Sequence, residues 1–384
     1  MKILTTFILV ISCFSRYVNA QAIDSKSQAM QECVQATKLA DEGNYDASIQ
    51  MLNDAITLDS SQNRFYKELA YDYYLKTTEK PGFNWWKNFI MQSKNENENT
   101  TELAALVLGH QYEEHSANGK AQEVFHSALM QFPNSGPLHA SLSETLFNER
   151  NYFPALKEAE AGIQNAPNVA DNYYWASEIY CHSTEKVWGM LYGELFLNMN
   201  PGNDSLRKAR ISQLLYTTFQ NSIQIDPGNE LKVDFSSIAS SNGESSYSNL
   251  PYQVGVFERL ISNSIKDESV VDLYSLNLIR TNFLKTYYEK QFNVKFPNVL
   301  FEYEAKIAEA GYLEAYNYWI LQYGEPKQFA TWLINNNAQF QAFQKWVADN
   351  PLILTSSNYF ISSQYSWKDK PELIHINRKI QINM

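Results

Sequence analysis

Four of the six histidines in the chain, His110, His115, His126 and His139, fall within residues 110–139. His110 and Glu114 are four residues apart, so a helix would present both on one face, as a metal half-site does. A complete site needs further ligands, and the sequence has neither a His-Glu-x-x-His motif nor a Cys-x-x-Cys pair. Cys181-His182 brings together a thiol and an imidazole, a nucleophile and a base by type. Neighbours on a helix point about 100° apart, which places that pair poorly for proton transfer. There is no glycine-rich phosphate loop, Gly-x-Ser-x-Gly elbow or kinase signature. The residue types therefore point to no catalytic centre, no metal and no cofactor.

The histidine-rich stretch reads better as a packing unit. Leu108, Gly109 and Tyr112 lie on one helical face, and Ala121, Phe125 and Ala128 on another. The small residues let two antiparallel helices approach, and the aromatic ones fill the space beside the contact. Pro133 ends the second helix, because it lacks an N–H and clashes with the preceding turn. Pro133, Pro167 and Pro201 are spaced 34 residues apart, each closing an apolar-periodic run.

A period of 34 residues with this order of small and aromatic positions resembles the tetratricopeptide repeat, a helix–turn–helix unit. The resemblance covers units at 29–62, 63–101, 102–135, 136–169 and 170–203, plus a degenerate one at 204–229. Unit 29–62 carries Gly43-Asn44-Tyr45, Ile49, Leu52 and Ala55-Ile56, with Ser48 where alanine is usual. Unit 63–101 carries Tyr66, Leu69, Ala70 and Tyr73, then Trp85-Trp86 and Phe89-Ile90; the polar run Asn95–Asn99 is expected to loop out. Unit 136–169 carries Leu142, Leu146, Tyr152, Ala155 and Ile163, with Ser143 in a small position. Unit 170–203 carries Tyr173, Ala176 and Tyr180, and Gly189 and Gly193 predict very close helix packing. Asp226-Pro227-Gly228-Asn229 echoes Asn200-Pro201-Gly202-Asn203.

The resemblance implies a solenoid with a concave binding face and no catalysis. Carried over position by position, the groove would be lined by Arg64, Lys67, Tyr71 and Tyr74, by His110, Glu113 and Glu114, by Glu144, Phe147 and Asn148, and by Tyr174, Trp175, Glu178 and His182. Such a groove is aromatic and mostly acidic, with a basic patch at one end. It implies a protein or peptide partner. The alternative is a glycan stacked on Tyr71, Tyr74, Tyr174 and Trp175, as in nutrient uptake. A third arrangement would have the second half of the chain fold over the groove and bury those aromatics.

Residues 1–20 have the pattern of a secretory signal: Lys2, an apolar run from Ile3 to Phe14, and the small-residue site Val18-Asn19-Ala20 before Gln21. This predicts a periplasmic or secreted protein; the alternative is a lipoprotein anchored through Cys13. No later run of about 18 apolar residues exists to span a membrane. Two cysteines, Cys33 and Cys181, remain after the signal, too few for a disulfide framework. Without the signal the chain has 29 basic and 42 acidic residues; from Pro251 onward the numbers are 13 and 13. The acidic excess thus lies in residues 21–250, which disfavours nucleic acid as a partner.

The Ser- and Asn-rich stretch within 230–252 reads as a linker, followed by a C-terminal helical region at 253–384. Aromatics there recur at three-to-four spacing, with a break at Gly324-Glu325-Pro326 and a stop at Asn350-Pro351. The tail at 353–384, with Leu373, His375, Ile380 and Ile382, is expected to be irregular or to form a short strand. The class is therefore all-α: a repeat solenoid, then further helices.

Overall fold

The computed structural model describes residues 25–59, 98–199, 205–225, 231–236 and 252–364, together with Gln62, Arg64, Phe65, Glu68, Leu69, Asp72, Leu75 and Lys76. The signal region with Cys13, the repeat positions Tyr66, Ala70 and Tyr73, the Trp85–Ile90 stretch, Pro201, the Asp226–Asn229 turn, the Ser/Asn-rich stretch from 237 and the tail from 365 lie outside these residues. Contacts divide the chain into two compact units, Met1–Pro133 and Asn134–Met384. The division falls inside the stretch read as one solenoid.

In the first unit, α1 (25–41) and α2 (Tyr45–Leu58) form a hairpin turned at Gly43. Gly43 has φ +79°, a left-handed conformation that favours glycine. Ser48, in a usual alanine position, is fully buried, with its hydroxyl 2.8 Å from the Ala36 carbonyl and also within hydrogen-bond reach of the Asp72 carboxylate. A second hairpin comprises α3 (Glu98–Glu114) and α4 (Asn118–Leu129). Helix α3 begins within the polar run expected to loop out: Glu98 and Asn99 are helical, because acidic and amide residues suit a first helical turn. Phe125 of α4 packs on Gly109 of α3. A methyl group there would lie 2.2 Å from ring atoms of Phe125.

In the second unit, α5 (Gly136–Asn148) pairs with α6 (Tyr152–Asn165), and α7 (Ala170–Cys181) with α8 (Lys186–Met199). Ser135 caps α5 by accepting from the Leu138 N–H at 3.1 Å. The two hairpins share one fastening. Ser143 donates to the Ala155 carbonyl and Ser177 to the Gly189 carbonyl, each at 2.8 Å across the helix pair. A methyl at Gly189 would lie 2.4 Å from the Cys181 backbone nitrogen, and one at Gly193 would lie 2.6 Å from Ser177 Oγ. The predicted close packing is observed.

Helix α9 (Ser205–Ser222) opens the sixth unit but is not followed by a second helix within it. Instead β1 (Ile223–Ile225) and β2 (Leu231–Val233) pair antiparallel. The short β element thus sits here, in a stretch read as repeat and linker. Residues 353–364 contain no strand; a 3-10 turn at Ser362–Gln364 follows extended backbone.

A π-helical turn (Gln253–Glu258) leads into α10 (Arg259–Ser264), and then come α11 (Leu273–Glu289), α12 (Phe292–Lys295), α13 (Val299–Glu309), α14 (Leu313–Leu321) and α15 (Pro326–Asp349). Helix α15 starts and stops at the expected prolines. It kinks at Asn336, whose side chain donates to the Trp332 carbonyl at 2.8 Å. These helices close against the last repeat. The Tyr323 N–H donates to Ser212 Oγ at 3.1 Å, and Gly324 lies so near Tyr216 that a methyl would sit 2.1 Å from the ring. Residues 351–364 return to the α6–α8 hairpins. There Phe360 stacks on Tyr192 at 5.6 Å, and Ser362 joins Tyr180 and Tyr192 around the Glu160 carboxylate. Among the described residues no helix is long and apolar enough to cross a membrane.

Candidate groove of the repeat helices

Among the candidate groove residues, His110, Glu113 and Glu114 sit on α3, Glu144, Phe147 and Asn148 on α5, and Tyr174, Trp175 and Glu178 on α7, with His182 just past its end. In the first unit, Arg64 is exposed and lies 3.7 Å from Glu68. His110 Nδ1 meets the Glu113 carboxylate at 2.8 Å, and its ring stands edge-on to Phe125 at 5.7 Å. Glu114 is exposed, while Ala105, Leu108 and Tyr112 of the same helix are buried. His110 thus pairs with Glu113 rather than with Glu114, the partner its helical spacing suggested. Lys67, Tyr71 and Tyr74 lie outside the described residues.

In the second unit the first helices α5, α7 and α9 pack in sequence, and α9 changes the character of the groove. Arg207 on α9 reaches Asp171 Oδ1 at 3.0 Å and Glu144 Oε2 at 3.5 Å. Its guanidinium lies 5.0 Å from the Tyr174 ring centre and 5.7 Å from that of Trp175, within cation–π range. One turn on, Arg210 binds the Glu178 carboxylate through two nitrogens, at 2.7 and 3.1 Å. This bidentate hydrogen bonding raises the Arg210 pKa above its ordinary value despite partial burial.

Tyr174 and Trp175 are accordingly buried, at 9% and 7% exposure. Phe147 packs against Trp175 at 5.1 Å, and Phe196 against Tyr174 at 5.2 Å. The two rings expected as a stacking platform present no open face, because α9 and its arginines cover them. Asn148 stays exposed, and His182 is half-buried with Nδ1 2.7 Å from the Glu178 carbonyl. Neither arginine was among the expected groove residues. Asp171 lies 36 and Glu178 lies 32 residues before its arginine, about one repeat apart. That spacing of opposite charges was the available signal.

The candidate chemistry looks ordinary in place. Burial pushes the Cys181 thiol up to about 12, so it stays protonated at neutral pH and is a poor nucleophile. His139 Nδ1 lies 2.8 Å from Glu158 Oε2. Among the described residues no three His, Cys, Asp or Glu side chains converge as a metal site would need.

A buried ionic cluster is the other group sequence reading missed. The Arg280 guanidinium contacts the carboxylates of Glu194 and Glu304, the latter at 3.0 Å, and donates from Nε to Asn317 Oδ1 at 2.8 Å. All three charged side chains are at most a tenth exposed. Two carboxylates share one cation here. Burial, then the neighbouring Glu194 charge, pushes Glu304 up to about 8. Glu194 is raised as well, again chiefly by burial.

Paired helices recur with a period of 34 residues, the small-residue contacts fall in phase, and within the second unit each hairpin packs on the next. These are tetratricopeptide-like repeats. No family model matches the chain, and no curated protein matches it. Among solved structures it is similar to YrrB, a tetratricopeptide-repeat protein with an unusual peptide-binding site. That similarity is 18% identity over 49% of this chain and 94% of that one, with a TM-score of 0.28. It is also similar to TTC0263, a thermophilic tetratricopeptide-repeat protein of Thermus thermophilus, at 14% identity over 49% and 98%, with a TM-score of 0.30. Their first helices differ along the chain: α3 leaves Glu114 exposed, whereas α7 is buried from Asn172 to Cys181.

Proposed function

We propose that the protein is a non-catalytic scaffold that binds a protein or peptide along the groove side of its repeat helices. The observation that carries this reading is the division of labour on α3. Ala105, Leu108, Gly109 and Tyr112 are buried in the hairpin, while His110 and Glu113 are half-buried and paired with each other and Glu114 is exposed. A polar side of this kind, apart from the small and aromatic residues that hold the hairpin, is suited to recognition. In the second unit the same side is occupied by Arg207 and Arg210, so partner contacts fall there on rim residues such as Asn148. The signal-like first twenty residues support export to the periplasm or outside, with membrane anchoring through Cys13 as the alternative.

The test is cross-linking of the full chain in the exported fraction, with cross-linked sites read by mass spectrometry. The reading expects a reproducible partner cross-linked near Arg64 and Glu114, and its loss in a folded Arg64→Ala/Glu113→Ala/Glu114→Ala variant. A partner captured equally by that variant would refute it. N-terminal sequencing of the exported protein addresses processing: a start at Gln21 agrees with cleavage, and a blocked, lipid-bearing Cys13 with the anchor.

A further inference from the structure

A second recess lies apart from the groove, within the Asn134–Met384 unit. A cleft of about 510 Å³ separates the start of α9 from the end of α14 and the middle of α15. That lies within the size of small-molecule sites, about 300–1,000 Å³. Its floor is aromatic. Trp319 is half-buried, held edge-on by Phe343 at 5.9 Å and tilted against Tyr316 at 6.0 Å, so its plane is fixed before any ligand arrives. Phe340 and Tyr323 extend the aromatic surface.

The walls are polar without being strongly charged. Gln322 donates its amide N–H to the Trp319 carbonyl at 3.0 Å, which orients the amide and leaves its carbonyl oxygen as an acceptor. Gln344 and Ser205 are exposed and make no hydrogen bond among the described residues; nor does the Trp319 indole N–H. Lys208 is the one charged residue among the described residues lining the cleft. Most of the lining residues are helical, with Ser205 and Lys208 in the first turn of α9 and Gln322 and Tyr323 in the turn after α14, so recognition falls chiefly to side chains. Amides and hydroxyls that both donate and accept, beside a fixed aromatic face, match a sugar ring. Its vicinal hydroxyls donate and accept in pairs, and its C–H face lies on the electron-rich π surface. An extended peptide would want a strand edge to pair with, and no strand is among the described residues that line the cleft.

We propose that this cleft is a binding site for a neutral saccharide, with Trp319 as the stacking platform and Gln322, Gln344 and Ser205 reading its hydroxyls. The site is independent of the groove and does not rest on the protein-binding reading.

The test is titration of the purified full chain with neutral oligosaccharides drawn from a glycan array, alongside a peptide array. Trp319→Ala, Trp319→Phe and the exposed Gln344→Ala are compared with the parent, each checked by circular dichroism and thermal melting. The proposal expects a neutral oligosaccharide to bind, and Trp319→Ala to weaken it roughly tenfold, the loss of an aromatic face from a polar site. Trp319→Phe should lose less, because it keeps a ring, and Gln344→Ala should weaken binding without lowering the melting temperature. Should Trp319→Ala fail to fold, Gln344→Ala decides. The proposal is overturned if no neutral sugar binds, if sugar binding is untouched by Gln344→Ala and Trp319→Ala, or if the variants lose a peptide instead. Glu114→Ala, a groove change, should leave sugar binding intact, so the two readings fail separately.

Discussion

Replacing Arg280 by methionine keeps much of the side-chain volume and removes the cation that Glu194 and Glu304 share. Both carboxylates are about 6% exposed, so neither can recover its lost partner from water. Breaking a buried ion pair from one side costs about 3–5 kcal/mol. The cost must depend on pH. Glu304 already has a pKa raised to about 8, and without Arg280 both carboxyls can stay in the core only as neutral acids. An acid whose folded pKa lies above its unfolded one keeps its proton in the folded state, so that state binds more protons between the two values. Stability then falls as pH rises through that window, by up to about 1.4 kcal/mol per pH unit per group. Urea denaturation followed by tryptophan fluorescence at pH 5 and pH 8 measures this directly. Arg280→Met should cost several kcal/mol at pH 8 and clearly less at pH 5. A loss below about 1 kcal/mol at pH 8, the size of a surface pair, or a loss equal at both pH values would refute the reasoning.

Gly109→Ala should destabilise the first unit by about 1–3 kcal/mol through the clash with Phe125, and Phe125→Leu in the same chain should recover part of it in thermal melts. Arg210→Ala strips Glu178, 3% exposed, of its bidentate partner and should cost about 1–3 kcal/mol. Arg207→Ala, whose carboxylate partners Glu144 and Asp171 are 28% and 51% exposed, should cost under about 1 kcal/mol by chemical denaturation. Cys181, with its thiol pushed up to about 12, should resist alkylation at pH 8 in the native protein and react at once in denaturant; rapid native labelling would show that the site opens. Glu258, raised by burial to about 7, should add to the loss of stability between pH 5 and 8, and Glu258→Gln should flatten that slope.

The repeat was legible because its signals are local. A small residue beside an aromatic one, and a proline at a fixed interval, declare a hairpin without knowledge of its neighbours. Gly189 and Gly193 show this: their spacing alone foretold a contact in which a single methyl has no room. The groove was less legible. Tyr174 and Trp175 occupy positions that an open solenoid would expose, and only the lateral packing of α9 decides otherwise. Arg207, read alone, is one surface cation in a degenerate unit. The Arg280 cluster was invisible for a similar reason, since its three charges lie on three helices and each looks like the polar side of an amphipathic run. The cleft at Trp319 combines residues from α9, α14 and α15, and no period in the sequence links them.

A stack of identical hairpins has no natural end. Each new unit leaves the same apolar face for another to cover, in the same chain or in a second copy, and head-to-tail addition of that kind grows filaments rather than closed assemblies. Here α9 is the last helix to follow the repeat, and what meets it is α14 and the turn after it, through Ser212, Tyr216 and Gly324. The helices beyond residue 252 therefore terminate growth at this end. A chain shortened before them would uncover Tyr216, which lies against Gly324, and Phe219, which lines a recess with Phe257 and Phe283, and fibre formation or self-association would be its characteristic defect, more than loss of the hairpins themselves.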